Sequence, residues 1–162
     1  MLLKRTLIAA ILASPATPLA AQDLTFNTEI TASCVAHAPD LAGQMACVGA
    51  SANACMEDTP GGSSTVAMSG CLDRELQYWD DKLNEHYASA LRRARDADEY
   101  VDGTPSATAL REMQRAWIVF RDKACTYEAS LWQGGTGRGP AAINCLMQQT
   151  ARQALSLDVW EG

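Results

Sequence analysis

Apolar residues recur every three or four positions along two long stretches of the chain, which is the spacing of an amphipathic α-helix. In residues 110–125 this spacing is carried by Leu110, Met113, Trp117, Phe120 and Ala124. In residues 71–94 it is carried by Leu72, Leu76, Trp79, Leu83, Tyr87, Ala90 and Ala94. We expect these two helices to face each other and to form the centre of the core.

Proline, glycine and capping residues divide the rest of the chain into further helices. A short helix ends at Pro39, and Asp40 caps a second helix that runs to about Met56. A third helix begins near Thr65, and Pro140 stands at the first position of the last helix. No segment alternates apolar and polar residues as a half-buried strand would. Because helices joined by short loops pack antiparallel, we predict a small all-α bundle of four to five helices.

Residues 1–21 have the pattern of a secretory signal peptide. Lys4 and Arg5 precede an apolar run over residues 7–13, and the segment ends in small alanines. The run is much shorter than the roughly 20 residues that cross a bilayer. We therefore expect this segment to be removed and the remainder to be periplasmic or secreted, with no membrane span.

The expected mature chain is strongly acidic. Loss of Lys4 and Arg5 leaves 11 basic against 19 acidic residues, a formal charge of −8, whereas the full chain has −6. An acidic surface disfavours nucleic acid as a partner, because phosphate binding requires basic residues. It favours a basic exported protein as the partner, through long-range attraction. The alternative is that the acidic surface provides solubility alone. The oligomeric state is not specified by any pattern in the chain.

Six cysteines lie in the expected mature part, and an even number in an exported chain is typical of disulfides. Fifteen pairings are possible, and the order of the helices favours bridges between cysteines that flank a loop or break. These are Cys34–Cys47, Cys55–Cys71 and Cys125–Cys145. An exchanged pairing among the first four cysteines also fits the pattern. The predicted bundle is therefore a disulfide-stapled one.

The sequence contains no pattern typical of a metal, cofactor or catalytic site. Zinc sites usually show C-x2-C or H-x3-H pairs, and neither spacing occurs. Cys34 with His37 is an isolated Cys/His pair, and oxidation would remove the thiolate that its chemistry requires. His86 is expected at a solvated edge of the third helix. Because G-x-S-x-G and H-E-x-x-H are also absent, we expect a binding protein rather than an enzyme.

Three strings in the chain are similar to a known family. WDDKLNEHY at residues 79–87, QRAWIVFRDKAC at residues 114–125 and GGT at residues 134–136 resemble the LprI-like lysozyme inhibitor family. The resemblance assigns residues 57–162 to an LprI-like helical domain and residues 22–56 to an N-terminal helical extension. It implies an exported bacterial protein that inhibits lysozyme by protein–protein binding. The alternative is a structural or adaptor module of the cell envelope that does not contact lysozyme.

The residues of the two helical strings have good structural explanations. They are Trp79, Asp80, Asn84, Tyr87, Arg115, Trp117, Phe120, Arg121 and Asp122. We expect the aromatic side chains of Trp79, Trp117 and Phe120 to lie in the core. Polar groups at a packed seam must be paired, so we expect Arg121 to pair with Asp80 on the facing helix.

The loop of residues 133–140 is the candidate binding element. It combines four glycines with one base and no apolar residue, and a Cys125–Cys145 bridge would hold it out from the bundle. Loops on rigid scaffolds often carry binding residues, whereas the alternative is a plain linker between helices. The candidate binding residues are Gly134, Gly135, Thr136 and Arg138.

Charge and resemblance together suggest how such a loop could inhibit a lysozyme. Lysozymes are typically basic and keep two carboxylates in an open cleft. An acidic inhibitor would be steered towards the enzyme, and Arg138 could then enter the cleft. Asp73, Asp80 and Asp81 could contribute an acidic rim around the contact.

Overall fold

A computed structural model describes residues 23–100, 102, 103 and 105–159. The expected signal segment, residues 1–21, lies outside the described residues. The described residues form helices and turns and contain no strand, so the predicted all-α fold is confirmed. In chain order the helices are α1 (Glu29–His37), α2 (Leu41–Ala46), α3 (Ala50–Asp58), α4 (Thr65–Asp98), α5 (Ser106–Ser130) and α6 (Arg138–Val159).

The predicted second helix is divided into α2 and α3. Asp40 caps α2 as expected, since its carboxylate accepts a hydrogen bond from the Gly43 N–H at 2.8 Å. Gly49 then adopts φ +100°, a left-handed conformation that ends the helical run before α3 begins. A glycine takes this conformation without the steric penalty of a Cβ. The chain can therefore turn α3 so that its first residues face α4.

The principal helix pair of the bundle is α4 with α6, and α5 lies against the edge of this pair. The prediction that α5 is the main partner of α4 is therefore wrong. The reason lies in side-chain size, because α6 presents Ala151 and Ala154 to α4 and so permits a close approach. The buried apolar cluster consists of Ala52, Leu72, Trp79, Leu83, Met147, Ala151, Ala154, Leu155 and Leu157.

Three disulfides fasten the helices to one another. Cys34–Cys47 joins α1 to the end of α2, Cys55–Cys71 joins α3 to α4, and Cys125–Cys145 joins α5 to α6. All six cysteines are consumed in these bridges. The last bridge closes the α5–α6 hairpin, which carries the loop of residues 133–140. We call it the glycine-rich loop.

A fully buried carboxylate, Glu75 of α4, connects the N-terminal helices to the rest of the bundle. Its Oε1 accepts hydrogen bonds from Thr31 Oγ1 at 3.0 Å, Gly49 N at 2.7 Å and Trp79 Nε1 at 3.1 Å. Its Oε2 accepts from the Ala52 N–H, at the start of α3, at 2.7 Å. Since buried polar groups must be paired, this one side chain positions α1 and α3 against α4.

Asp98, at the end of α4, caps the start of α5. Its carboxylate accepts hydrogen bonds from the backbone N–H groups of Ala107 at 3.0 Å and Ser106 at 2.6 Å. These bonds hold the pKa of Asp98 below its usual value of 3.8, because they stabilise the charged form. The bond to Ala107 has the largest effect. The cap therefore depends on the charge of this carboxylate.

We expect Asp98→Ala to lower the midpoint of urea unfolding at neutral pH. Because the pKa of Asp98 is lower in the folded protein, its contribution is present above the unfolded pKa of about 4. It is lost as the pH falls through the folded pKa. Urea titrations of both proteins should therefore differ at pH 7 and converge in strong acid. Asp96→Ala is the matched control, and a difference that does not change with pH would contradict the role of the charge.

Candidate functional site

An open groove of about 390 Å³ lies where α4, α5 and α6 meet. We call it the acidic groove. It is lined by Asp73, Leu76, Gln77, Asp80, Asp81, Arg121 and Leu146. Three lining side chains are carboxylates and one is a guanidinium, so the groove carries an excess of negative charge. The two helical strings singled out in the sequence thus contribute to one surface feature.

Arg121 is held in place by three neighbours. Its Nε and Nη2 donate to Asp122 Oδ1 at 3.0 and 2.9 Å, and its Nη1 donates to Thr150 Oγ1 of α6 at 3.4 Å. Its guanidinium carbon also lies 5.1 Å from the centre of the Trp117 ring, within the range of a cation–π contact. Arg121 therefore ties α5 to α6 and presents a fixed positive charge to the acidic groove.

The predicted pair between Arg121 and Asp80 is wrong. Asp122, the next residue on the same helix, accepts the hydrogen bonds that were expected to go to α4. Asp80 instead accepts a hydrogen bond from Asn84 Nδ2 at 3.3 Å. Both Arg121 and Asp80 line the acidic groove, so the structure brings them to the same cavity without joining them.

The aromatic residues of the two helical strings are divided between core and surface. Trp79 is fully buried, and Trp117 and Tyr87 are half-buried and pack against the apolar cluster. Phe120 is mostly exposed, so its predicted place in the core is wrong. The cause is the position of α5 at the edge of the bundle, which leaves one side of that helix in solvent. Arg115 is also exposed on α5.

The glycine-rich loop lies in solvent between α5 and α6. Gly134, Gly135 and Thr136 are exposed, and α6 begins at Arg138, earlier than expected. Gly137 packs so closely on the indole of Trp132 that a Cβ would overlap the ring. The loop is therefore folded over Trp132 rather than extended.

A second groove, of about 380 Å³, lies beside this loop between α5 and α6. We call it the Arg138 groove. It is lined by Asp122, Cys125, Thr126, Ala129, Arg138, Ala142 and Leu146. Leu146 also lines the acidic groove, so the two grooves are neighbours. The structure thus places Arg138 in a groove that adjoins the acidic groove.

His86 lies in a third groove, of about 430 Å³, between α1 and the α4–α6 pair. Its Nδ1 donates to the Ala154 carbonyl at 2.8 Å, and its Nε2 is 4.0 Å from Asp158 Oδ1. The expectation of a solvated edge is therefore wrong. In the same groove, burial raises the pKa of Tyr78 above its usual value. The contact of His86 with α6 was not predicted because its sequence neighbours, Glu85 and Tyr87, do not reveal it.

Glu75 is the most important polar residue that the sequence reasoning missed. The available signal was its position, three residues after Leu72 and four before Trp79, on the apolar side of α4. A carboxylate at such a position means either that the helical register is assigned wrongly or that the carboxylate is buried and accepts hydrogen bonds. The structure shows the second case.

Within the described residues, no group of three or more His, Cys, Asp or Glu side chains is placed to hold a metal ion. In the same part of the chain, no helix combines the length and the apolar character that crossing a bilayer requires.

Comparison with known proteins identifies relatives over most of the chain. Residues 55–157 match the family model described as "Lysozyme inhibitor LprI". An uncharacterized 17.7 kDa protein in the puhA 5′ region of Rhodobacter capsulatus is 33% identical over 134 residues, which is 79% of this chain and 82% of that protein. An uncharacterized protein of Rhizobium meliloti (strain 1021) is 26% identical over 99 residues, 58% of this chain and 71% of that protein. No solved structure matches the chain significantly.

Proposed function

We propose that this chain, which belongs to the LprI family of lysozyme inhibitors, itself inhibits a lysozyme by binding to it. The observation that carries the proposal is the family match over residues 55–157, which includes both grooves and the loop. Inhibition by binding requires no catalytic residue, metal or cofactor in the inhibitor. The boundary between an LprI-like domain and an N-terminal extension near residue 56 is part of the same proposal.

We also propose that the protein acts outside the cytoplasm, in the periplasm or after secretion. Three disulfides support this location, because such bonds persist in oxidising compartments. The signal-like pattern of residues 1–21 supports it from the sequence. Lysozymes act in the same compartments.

The charges suggest how the two proteins would meet. Lysozymes are typically basic, whereas this chain has a formal charge of −6, so long-range attraction would speed their encounter. Asp73, Asp80 and Asp81 concentrate negative charge on one side of the molecule. Arg138 carries the opposite charge at the neighbouring groove. A lysozyme cleft holds two carboxylates, and Arg138 is the proposed group that enters it.

A lysis assay with a titrated inhibitor tests the proposal. The wild-type protein should slow the lysis of bacterial cell walls by a basic lysozyme, whereas Arg138→Ala should raise the inhibition constant about tenfold or more, as expected for a central interfacial arginine. Arg115→Ala is the matched control, because Arg115 is an exposed arginine on α5 outside both grooves.

Two results of that assay would contradict the proposal in different ways. Wild-type protein that leaves animal and bacterial lysozymes fully active at micromolar excess would overturn the inhibitory function. If the wild-type protein inhibits and Arg138→Ala has the same inhibition constant, Arg138 is not part of the contact. The inhibitory function is not contradicted by that result.

A further inference from the structure

Large apolar side chains are exposed along the outer side of α5 and in the turn that follows it. We call this surface the α5 stripe. It consists of Phe120, Tyr127, Leu131 and Trp132. Between 52% and 67% of the surface of each residue is exposed. The first three are spaced by seven and four residues, which puts them on one side of the helix.

No residue of the α5 stripe packs against the apolar cluster of the bundle, and within the stripe Trp132 packs under Gly137 of the loop. Along the stripe, α5 contacts the bundle through its opposite side, where Cys125 and Ala129 are buried. Before the stripe begins, Leu110, Met113 and Trp117 also pack against the apolar cluster. Monomeric proteins seldom expose a row of large apolar side chains, and such rows usually mark a contact with another molecule. Aromatic residues are also the side chains that most often dominate protein–protein contacts. A partner is therefore the natural explanation of the stripe.

We propose that the α5 stripe is the apolar part of the surface that binds the lysozyme. This inference rests on the proposed function and adds the surface that holds the enzyme once it has arrived. The stripe and the glycine-rich loop are continuous, because Trp132 belongs to the stripe and supports Gly137 of the loop. A protein that contacts this loop would therefore also meet Trp132, at the end of the stripe.

The charge argues against a second copy of this chain as the occupant, and the area shows that the contact must extend beyond the stripe. Three rings of about 150–250 Å² each, at these exposures, present on the order of 350 Å². A stable interface needs about 800 Å² from each partner, so the stripe requires further surface such as the adjoining loop. Two copies that each carry a formal charge of −6 would also repel each other, whereas a basic lysozyme would be attracted.

The structure also holds the stripe in a fixed place. The Cys125–Cys145 bridge fastens α5 to α6 in the middle of the stripe, between Phe120 and Tyr127 in sequence. Gln153 of α6 donates to Gln114 of α5 at 3.0 Å, which fixes the helix one turn or more before the stripe begins. A surface ordered before binding loses little conformational entropy on contact.

This arrangement divides the binding reaction into two measurable parts. Charges act over long distances and control the rate of association, whereas packed apolar contacts act only in the complex and control the rate of dissociation. The acidic side chains should therefore govern association, and the α5 stripe should govern dissociation.

Surface-based binding kinetics on immobilised lysozyme at low and high salt test the inference. The variant carries Phe120→Gln and Tyr127→Gln, which remove two rings without adding charge and keep a good helix-forming residue. We expect its dissociation rate to rise about tenfold or more, with the association rate and its salt dependence unchanged. Tyr100→Gln is the matched control, because Tyr100 is 85% exposed and lies outside the stripe. Circular dichroism should show that all three proteins are equally helical.

The outcomes separate this inference from the function on which it rests. If the wild-type protein binds lysozyme and the double variant binds with the same affinity, the stripe is not part of the contact and the proposed function stands. If the wild-type protein does not bind, both are overturned. A wild-type dimer in sedimentation velocity that the double variant dissociates would assign the stripe to a second copy and overturn the inference.

Discussion

Glu75→Gln is expected to lower the free energy of unfolding by about 3 kcal/mol. The carboxylate accepts hydrogen bonds from four donors and is fully buried. Glutamine has the same shape but turns one acceptor oxygen into an NH₂ group, which would face N–H or O–H donors. At least one buried donor then loses its partner. The start of α3 also loses a negative charge near its N-terminal N–H groups, which is unfavourable for the helix dipole.

Urea unfolding followed by circular dichroism, with the disulfides intact, measures this effect. The matched control is Glu85→Gln on the same helix, because Glu85 is exposed and bonds only Lys82 in the described structure, at 2.8 Å. An exposed ion pair contributes little to stability, so this variant should unfold almost like the wild type. Equal midpoints for Glu75→Gln and the wild type would show that the buried hydrogen bonds do not hold the N-terminal helices.

The elements of this fold were predictable from local sequence patterns, and their arrangement was not. Helical periodicity, Asp40 and Pro39 act within a few residues, so they predicted most of the helices. The break at Gly49 and the start of α6 at Arg138 were not predicted. The choice between α5 and α6 as the partner of α4 depends on which helix can approach more closely. That choice is made by small residues such as Ala151 and Ala154, which a count of large apolar residues undervalues.

Phe120 shows why the same periodicity misplaced part of the surface. In α5, apolar residues occupy both the side that faces the bundle and the side that faces solvent. A periodic pattern gives the spacing of apolar residues, but it does not say how far along a helix they stay covered. Leu110, Met113 and Trp117 pack against the core, whereas Phe120 on the same predicted side is exposed. The interpretation of Phe120 as core hid the α5 stripe, which became visible only when the helix was placed at the edge of the bundle.

The candidate site could likewise be predicted only in part from local sequence patterns. Composition alone singled out Arg138 and its glycines, because loop chemistry is a local property. The hydrogen-bond partner of Arg121 could not be predicted from composition, because the adjacent Asp122 competes with any acid on another helix. The neighbouring position of the two grooves depends on Leu146, an ordinary apolar residue with no distinguishing pattern.

Replacing Cys125 and Cys145 by serine is expected to lower the free energy of unfolding and to weaken the proposed inhibition of lysozyme. The bridge closes a segment with a sequence separation of 20 residues. The chain-entropy account gives a loss of about 3 kcal/mol for a loop of this length. The same bridge fixes the α5–α6 hairpin, which carries Arg138 and the glycine-rich loop. A freed hairpin would have to be ordered again on binding, so the inhibition constant should rise.

The bridge between Cys34 and Cys47 provides a matched control for this prediction. Its sequence separation is 13 residues, so its removal should lower stability by a similar amount, about 3 kcal/mol. It lies in the N-terminal helices and does not hold the α5–α6 hairpin. Lysis assays at a temperature where both serine variants are fully helical should therefore show weaker inhibition only for Cys125→Ser with Cys145→Ser. Equal losses of inhibition in both variants would mean that reduced stability, rather than placement of the loop, explains the effect.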